Sequence, residues 1–285
     1  MNLIFVFSPL KARGCNLAFP VLERGEFPLH IYYNTAMSGI SVRTMVGAAA
    51  ALFSACFLGF SPGAAQEDEV LFSRLRQEMV RDQLAARDIT DRRVLEVMGR
   101  VPRHLFVPPG IRSQAYRDYP LPIDEGQTIS QPYIVALMTQ WAALRGSERV
   151  LEVGTGSGYQ AAVLSGLAER VYSVEINRAL ALQAARRLKD LGFLNVEVKW
   201  GDGYLGWEEK APFEAVLVTC AARLLPPALF QQLKEGGRLV LPLEKAGSVQ
   251  ILTLVEKRDG KPRITPLLEV RFVPMTGRIE TMKDP

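Results

Sequence analysis

A glycine-rich loop stands near the middle of the chain, between an apolar run and a run with helical spacing. It reads Gly154-Thr155-Gly156-Ser157-Gly158 and follows Leu151-Glu152-Val153. Glycines at a strand-to-helix turn let the backbone bend tightly and approach a ligand closely. Because position 159 is Tyr, the spacing is Gly-x-Gly-x-Gly, unlike the Gly-x-Gly-x-x-Gly of dinucleotide oxidoreductases. The loop is compatible with a nucleoside ligand, although alone it is equally typical of a tight turn.

Two acidic residues follow the next two apolar runs. Glu175 ends Val171–Glu175, about 20 residues after the glycine loop, where a carboxylate can accept both ribose hydroxyl hydrogens. Asp202 lies between Gly201 and Gly203, so its carboxylate could accept the exocyclic amine of an adenine while Gly203 leaves room for the ring. Alone, each acid is more typical of a solvated strand end or a turn. In this order, the three strand ends together predict a nucleoside site.

A serine precedes a further candidate element. Ser130 stands before Gln131-Pro132, and a helical run follows from Tyr133 to Leu144. Serine as N-cap with proline in the first turn is a typical helix start. The hydroxyl therefore has two alternative uses. It either caps the helix or donates to an anionic ligand beside the helix N-terminus, where negative charge is favoured.

These residues require a frame of alternating strands and helices, which begins after Gly146. The apolar runs predict strands at Arg149–Val153, Val171–Glu175, Val196–Trp200, Ala215–Thr219 and Arg238–Leu243. Helices are predicted at Tyr159–Ala168, Arg178–Leu191 and Pro226–Lys234. A closing antiparallel pair is predicted at Val249–Glu256 and Ile264–Val273. The fold class is therefore α/β, a doubly wound and mostly parallel sheet with helices on both faces.

The part from 66 to 145 is predicted to be helical and to pack over the carboxyl ends of the strands, where ligands bind in such sheets. Helical spacing covers Glu67 to Ala86, and a short helix follows Thr90 as its N-cap. Pro120–Gln131 is predicted to form a turn or hairpin with Gly126 at the bend. With the catalytic α/β core at 146–285, this part makes one compact domain, 66–285.

The first 65 residues differ in character and are predicted to be a leader. Met45–Phe60 is a run of 16 residues without charge, preceded by Arg43 and followed by small residues at 61–65. That pattern is typical of a secretory signal, and the run is shorter than the about 20 residues of a membrane span. The alternatives are a membrane anchor, or a true start at Met37 or Met45.

Composition excludes several classes of protein. The 285 residues are 48% hydrophobic and 22% charged, as in ordinary globular chains. Two His and three Cys argue against a multi-His metal site and a disulfide scaffold. The formal charge of +4 falls to +2 once 1–65 is set aside, because that segment holds four basic and two acidic residues. Such a balance does not predict a nucleic-acid partner.

Longer motifs make the chain similar to one family. The glycine loop, the acid at 175 and Gly-Asp-Gly at 201–203 look like an S-adenosylmethionine-dependent methyltransferase. Over about 70 to 280, the chain resembles the protein-L-isoaspartate O-methyltransferase family. The matching segments are Met79-Val80-Arg81-Asp82-Gln83-Leu84, Val101-Pro102-Arg103, Gly126-Gln127-Thr128-Ile129-Ser130-Gln131-Pro132, Val218-Thr219 and Arg271-Phe272-Val273-Pro274. The chain departs from the family pattern at Asp124-Glu125 and Ala222-Arg223.

The resemblance implies methyl transfer from S-adenosylmethionine to the free carboxylate of L-isoaspartyl residues in damaged proteins, with S-adenosylhomocysteine as product. It implies cofactor binding by Glu152, Gly154, Thr155, Gly156, Ser157, Gly158, Glu175, Asp202, Gly203 and Thr219. Substrate binding would fall to Gln127, Thr128, Ile129, Val273 and Pro274, and the catalytic hydrogen bond to Ser130. An α-type carboxyl, with a pKa of about 3.3–3.7, is already ionised at neutral pH. We therefore expect catalysis by positioning rather than by a strong general base.

Two other functions stay open from the sequence. One is a methyltransferase for a small molecule or RNA, and the other is an exported, non-catalytic protein that retains the fold. We expect isoaspartyl peptides and proteins as partners, no metal, no nucleic acid, no stable membrane partner beyond the leader, and a monomer. The resemblance and the cytosolic supply of S-adenosylmethionine favour the cytoplasm. Use of the signal-like segment at 37–65 would instead place the protein in the periplasm or outside the cell.

Overall fold

A seven-stranded sheet organises the part of the chain that the structure describes. The computed structural model describes residues 62–245 and 249–281, and Ser61–Pro285 groups as one compact unit. The predicted leader with Met45–Phe60 lies outside the described residues. Within the described ranges, no helix is both long and apolar enough to cross a membrane.

The main sheet has the strand order β5-β4-β3-β6-β7-β8-β9. Its strands are β3 (Arg149–Val153), β4 (Arg170–Glu175), β5 (Val196–Trp200), β6 (Phe213–Val218), β7 (Leu233–Lys245), β8 (Val249–Arg258) and β9 (Lys261–Val270). Strands β3 to β7 pair in parallel, and β8 and β9 are antiparallel additions. The predicted mostly parallel sheet with a closing antiparallel pair is confirmed.

The chain reverses its direction of travel across the sheet next to β3. It passes from β3 through β4 to the edge strand β5 and then returns to β6 on the other side of β3. The register places Val153 opposite both Val174 and Val218, so these three strands end at one level. Such a reversal leaves a crevice outside the carboxyl ends of the strands, where ligands bind.

Both faces of the central strands are buried. Val150 and Leu217 belong to the core on one face, together with Ala161 and Leu164 of the helix that follows the glycine loop. Leu151, which alternates with Val150 along β3, belongs to a second core on the opposite face of the sheet. Burial on both faces explains the continuous apolar runs in the sequence of these strands.

Six α-helices surround the sheet within the described ranges. They are α1 (Pro62–Glu78), α2 (Arg92–Met98), α3 (Pro132–Ala142), α4 (Tyr159–Ser165), α5 (Arg178–Asp190) and α6 (Pro227–Gln232). A π-helical turn, Met79–Ala85, continues α1. The N-cap of α2 is Asp91, whose carboxylate accepts the Arg93 amide at 2.9 Å. The prediction of Thr90 as N-cap is therefore wrong by one residue.

The start of α3 corrects a second prediction. Proline 132 is the first residue of α3, and the N-cap position is Gln131 rather than Ser130. Ser130 directly precedes the cap residue, and its carbonyl oxygen accepts a hydrogen bond from Arg103 at 2.7 Å. The Ser130 hydroxyl is therefore free of a capping role.

Two segments lie over the carboxyl ends of the strands. The predicted hairpin is confirmed as β1 (Leu121–Pro122) pairing with β2 (Thr128–Ile129), with a bend at Asp124–Gly126. The C-terminal segment that follows β9 is anchored at Ala221, whose amide donates to the Val273 carbonyl at 2.8 Å. Both segments thereby bring predicted substrate residues to the crevice.

The sheet ends at two edge strands, β5 and β9. In β9, Pro262 and Pro266 are exposed, and so are the neighbouring charged residues Lys261 and Arg263. Proline in a sheet is confined to such edges, because it has no N–H to donate to a ladder.

Candidate active site

A cleft of about 910 Å³, counting the space at its open mouth, lies at the carboxyl ends of β3, β4 and β6. The structure brings most of the predicted site residues to its wall. They are Gln127, Thr128, Ile129, Ser130, Gly154, Thr155, Gly156, Ser157, Glu175, Gly203, Thr219, Val273 and Pro274. Glu152, Gly158 and Asp202 are not among the residues that line it.

The glycine loop is held against the end of β6. Gly154 has a φ of +96°, and a Cβ at this position would lie 2.5 Å from the Thr219 Oγ1 atom. That hydroxyl donates to the Gly154 carbonyl oxygen at 2.6 Å. Only glycine accepts both this conformation and this close approach. Thr219 therefore sets the position of the first loop residue in addition to lining the cleft.

Glu175 connects the end of β4 to the loop. Its Oε2 atom accepts the Gly156 amide at 2.9 Å, and its Oε1 atom accepts the Asn177 amide at 2.9 Å. The residue is only 6% exposed but lines the cleft. An ionised carboxylate has about four acceptor sites. Two of them therefore remain available to hydroxyl groups of a ligand, and the predicted contact of Glu175 with a ribose stays a prediction.

Glu152 differs from its predicted role as a direct cofactor ligand. It is 0% exposed and lies behind the loop, on the sheet face that α4 covers. Its Oε2 atom accepts the Ser173 hydroxyl at 2.5 Å, and the Ser173 hydroxyl lies 2.5 Å from the Thr155 hydroxyl. Burial, together with the charge of Glu175, raises the pKa of Glu152 to about 8. Glu152 thus supports Thr155 from behind through Ser173, and its raised pKa favours the protonated form at neutral pH.

Asp202 and Gly203 make structural contacts that the sequence did not predict. The Asp202 carboxylate accepts the Tyr204 amide at 2.9 Å and the Arg278 amide at 2.8 Å, which ties the C-terminal segment to the end of β5. A Cβ at Gly203 would lie 2.3 Å from Val153 Cγ1. The absence of a side chain at Gly203 therefore serves close packing against β3. Gly203 also lines the cleft, and its place beside an adenine stays a prediction.

Gly158 is also explained by packing. Its φ is +88°, and a Cβ there would lie 3.3 Å from Leu188 of α5. The residue lets α4 start close to α5 and does not reach the cleft. Gly156, in contrast, faces open space, since a Cβ there would meet only Ile123 at 3.7 Å. The ligand-facing part of the loop is therefore Gly154–Ser157.

Ser130 lies between two cavities. It lines the cleft and also an adjoining groove of about 1550 Å³, counting open space, that runs between α3 and the end of β9. Thr128, Thr219 and Val273 line both cavities as well. The Ser130 hydroxyl makes no hydrogen bond to residues 62–245 or 249–281. It is therefore available to a ligand that reaches the junction from either side.

Among the described residues, neither a thiolate nor a histidine lines the cleft at neutral pH. Cys220 lines the cleft, and burial beside the charge of Glu175 raises its pKa to about 12. His104 is buried, stacks on Phe72 at 4.0 Å and bonds the Tyr116 hydroxyl at 2.8 Å. Desolvation lowers the pKa of His104 to about 4. No cluster of His, Cys, Asp and Glu within the described ranges could hold a metal ion.

Sequence reasoning missed several residues around the cleft. Asn177 lines it and caps α5 by accepting two amides, and Met275 enters from the C-terminal segment. Gln160 lines the cleft from α4 and bonds Thr139 at 2.9 Å. The Asn at the start of a helical run was a visible capping signal. The position of Met275 depends on the return of the chain after β9, which no local pattern contains.

Comparison with known proteins supports the geometry. The family model for protein-L-isoaspartate(D-aspartate) O-methyltransferase matches residues 74–280. The chain belongs to this family. A protein-L-isoaspartate O-methyltransferase from Opitutus terrae is 60% identical over 201 residues, which cover 70% of this chain and 86% of that protein. Protein-L-isoaspartate O-methyltransferase 2 from Shewanella sediminis is 54% identical, over 74% of this chain and 86% of that protein.

Solved structures of the protein-L-isoaspartate O-methyltransferase family share the fold. One superposes with a TM-score of 0.66 at 33% identity and covers 72% of this chain and 67% of its own. Another, described as such a methyltransferase from Plasmodium falciparum in complex with S-adenosyl-L-homocysteine, has a TM-score of 0.63 at 26% identity. It covers 70% of this chain and 98% of its own. The predicted Rossmann-like methyltransferase fold is confirmed.

Proposed function

We propose that this protein transfers a methyl group from S-adenosylmethionine to the free carboxylate of L-isoaspartyl residues, and so repairs damaged proteins. The observation that carries the proposal is the position of Ser130. Its hydroxyl is unpaired within the described ranges, and the residue lies on the wall common to the cleft and the adjoining groove. A nucleoside donor in the cleft and a peptide in the groove would meet at this hydroxyl.

The cleft suits S-adenosylmethionine because it offers acceptors and bare backbone where a nucleoside needs them. Glu175 would hold the ribose hydroxyls with its two remaining acceptor sites. Gly154–Ser157 and Thr219 would surround the rest of the donor. Glu152, Gly158 and Asp202 would act indirectly by fixing the loop, α4 and the C-terminal segment. When bound, S-adenosylmethionine supplies an electrophilic methyl group on a sulfonium, which is a good leaving group.

The groove suits an extended peptide. Thr128 of the hairpin and Val273 of the C-terminal segment line both the groove and the cleft, while Gln127, Ile129 and Pro274 line the cleft beside them. The groove adjoins the cleft at Ser130, so a peptide lying in it would place an isoaspartyl carboxylate next to the donor. Ser130 would then donate its hydroxyl hydrogen to the substrate carboxylate and hold it towards the cleft.

The reaction needs no general base from this chain. The isoaspartyl α-type carboxyl, with a pKa of about 3.3–3.7, is ionised at neutral pH. This agrees with a protonated Cys220 and a buried, paired His104. The residues of the site orient the carboxylate and exclude water. Orientation of this kind lowers a barrier by up to about 7–11 kcal/mol in well-aligned intramolecular reactions.

A pair of peptides tests the proposal. The wild-type protein is incubated with S-adenosylmethionine labelled in its methyl group and with an isoaspartyl peptide or its normal aspartyl twin. We expect a base-labile methyl ester on the isoaspartyl peptide and none on the twin. Equal labelling of both peptides, or of neither, would refute the proposed substrate. Labelling of RNA or of a small molecule added in place of the peptides would favour the alternative, a methyltransferase for such a substrate.

The proposal extends to partners and location. We infer isoaspartyl peptides and proteins as partners, a monomeric state and no nucleic-acid partner, the last supported by the net charge of +2 outside 1–65. We infer work in the cytoplasm, where S-adenosylmethionine is made. Sedimentation of the purified protein tests the monomer. N-terminal sequencing of the native protein distinguishes a retained start from cleavage near residue 65, which would indicate export.

A further inference from the structure

Arg103 is a fully buried arginine in direct contact with the backbone of Ser130. Its side chain is 0% exposed. The Nη2 atom donates to the Ser130 carbonyl oxygen at 2.7 Å, and the Nε atom donates to the Ala115 carbonyl oxygen at 2.7 Å. The guanidinium carbon lies 4.7 Å from the ring centre of Tyr159, the first residue of α4. The arginine therefore joins the helical part, Ser130 and the helix after the glycine loop.

The charge of Arg103 has no anionic partner among the residues that the structure describes. No carboxylate within 62–245 and 249–281 forms an ion pair with it. Its Nη1 atom has no hydrogen-bond partner there either. Burial lowers the pKa of Arg103 only to about 10, so the group stays charged at neutral pH. A buried charge without a counter-ion is costly, and stability alone does not explain its presence.

The charge lies behind the residue at which an anion is expected. Arg103 holds Ser130 from behind, while the Ser130 hydroxyl lies at the junction of cleft and groove. We propose that Arg103 is a positioning residue for methyl transfer: its planar fork fixes Ser130, and its buried positive charge favours binding of the substrate carboxylate at that serine. This inference rests on the proposed function.

Two substitutions separate the planar hydrogen-bonding geometry of the Arg103 guanidinium from its positive charge. Arg103→Lys keeps the charge, but an ammonium cannot present the planar fork that reaches Ala115 and Ser130 together. Arg103→Met removes both. Turnover is measured per S-adenosylhomocysteine-binding site, counted by calorimetric titration, so that unfolded molecules do not enter the rate. The affinity for S-adenosylhomocysteine serves as a readout independent of activity.

The expected results differ for the two variants. In Arg103→Lys, kcat falls about tenfold while KM for the isoaspartyl peptide changes little; in Arg103→Met, kcat falls and KM rises by about tenfold or more. Affinity for S-adenosylhomocysteine stays within about twofold in both, because Arg103 does not line the cleft. If kcat per site and KM equal those of the wild type in both variants, the inference is wrong. The inference is also wrong if the variants only have fewer S-adenosylhomocysteine-binding sites while kcat and KM per site are unchanged.

Arg76 supplies a matched control. It is also a buried arginine, its Nε atom donates to the Gly99 carbonyl oxygen at 3.0 Å, and it contacts an aromatic side chain, Tyr116. Arg76→Met should lower stability without changing kcat per site or KM. If the wild-type protein methylates the isoaspartyl peptide and both Arg103 variants have its kcat per site and KM, only this inference is refuted. A wild-type protein without that activity refutes the proposed function itself.

A measurement on the wild type decides the matter if neither variant binds S-adenosylhomocysteine. The Nε–H resonance of Arg103 is assigned by through-bond NMR correlations along its side chain. It is then followed with S-adenosylhomocysteine present. We expect it to shift when the isoaspartyl peptide is added and not when the aspartyl twin is added. An identical spectrum with both peptides would show that the arginine does not sense the carboxylate.

Discussion

The Glu175 carboxylate accepts the backbone amide of Gly156 at 2.9 Å across the crevice between β4 and the glycine loop. Its second oxygen accepts the Asn177 amide at the same distance, at the start of α5. One acid thus fixes two backbone segments while it faces the cleft. Binding of a ribose and the shape of the loop depend on the same side chain.

Replacing Glu175 with Gln should weaken donor binding. Gln keeps the size of the side chain but loses the charge and one acceptor oxygen, and hydrogen bonds to a charged group contribute about 1.5–3 kcal/mol. We expect Kd for S-adenosylhomocysteine to rise about 10- to 100-fold in calorimetry. Glu209→Gln is the control, because Glu209 is exposed and outside the cleft. Equal affinities in Glu175→Gln and the wild type would contradict the ribose assignment.

Ser130→Ala should lower turnover without affecting folding. The N-cap position of α3 is Gln131, so removing the Ser130 hydroxyl costs less than the about 1 kcal/mol of a lost cap. Loss of a hydrogen bond to a carboxylate predicts a fall in kcat/KM of about 10- to 100-fold. Ser165→Ala, at the far end of α4, should keep full activity. Near wild-type activity of Ser130→Ala with the isoaspartyl peptide would remove Ser130 from the mechanism.

Gly203→Ala should destabilise the protein through a clash with β3. The added methyl would lie 2.3 Å from Val153 Cγ1, and overpacking of this kind costs about 1–3 kcal/mol. Denaturant unfolding should show this loss, and Val153→Ala in the same chain should recover part of it. Gly110→Ala is the control, because a Cβ there meets nothing within 4 Å. A loss of donor affinity at unchanged stability would instead restore Gly203 as a residue that makes room for the adenine.

The stability of the protein should fall with rising pH because of Glu152. Its pKa is raised from 4.5 to about 8 in the fold, so the folded protein retains a proton that the unfolded chain releases. Its contribution to stability therefore declines between about pH 4.5 and pH 8. Glu152→Gln, which cannot ionise, should show a flatter decline of Tm over this range. Parallel Tm curves for the two proteins would show that Glu152 is already ionised in the fold.

Much of the fold follows from local sequence. The strands Arg149–Val153 and Val196–Trp200 are predicted with their observed bounds, since each is a short run flanked by polar or glycine residues. Prediction is poorer at helix starts. Ser130 and Thr90 both have typical N-cap side chains, but the cap falls one residue later in each case, at Gln131 and Asp91.

The sequence predicts which segments form the candidate site but not which of their side chains face the cleft and which support it from behind. Residue type and order identify the strand ends, because parallel strands bring their carboxyl ends to one edge. They do not reveal which acid faces the cleft. Glu152 bonds Ser173 behind the loop, and Asp202 bonds the Arg278 amide from a segment 76 residues away. Such partners are set by tertiary contacts. The same holds for Arg103, whose link to Ser130 spans 27 residues.

The prolines of β9 have a consequence for an enzyme whose substrates are damaged chains. Partly unfolded proteins expose backbone that seeks hydrogen-bond partners, and a regular free edge would capture it as an extra strand. Pro262 and Pro266 interrupt the donor row on that edge, and Lys261 and Arg263 add charge beside them. The edge strand β9 can therefore lie close to partly unfolded substrate proteins without pairing with them and aggregating.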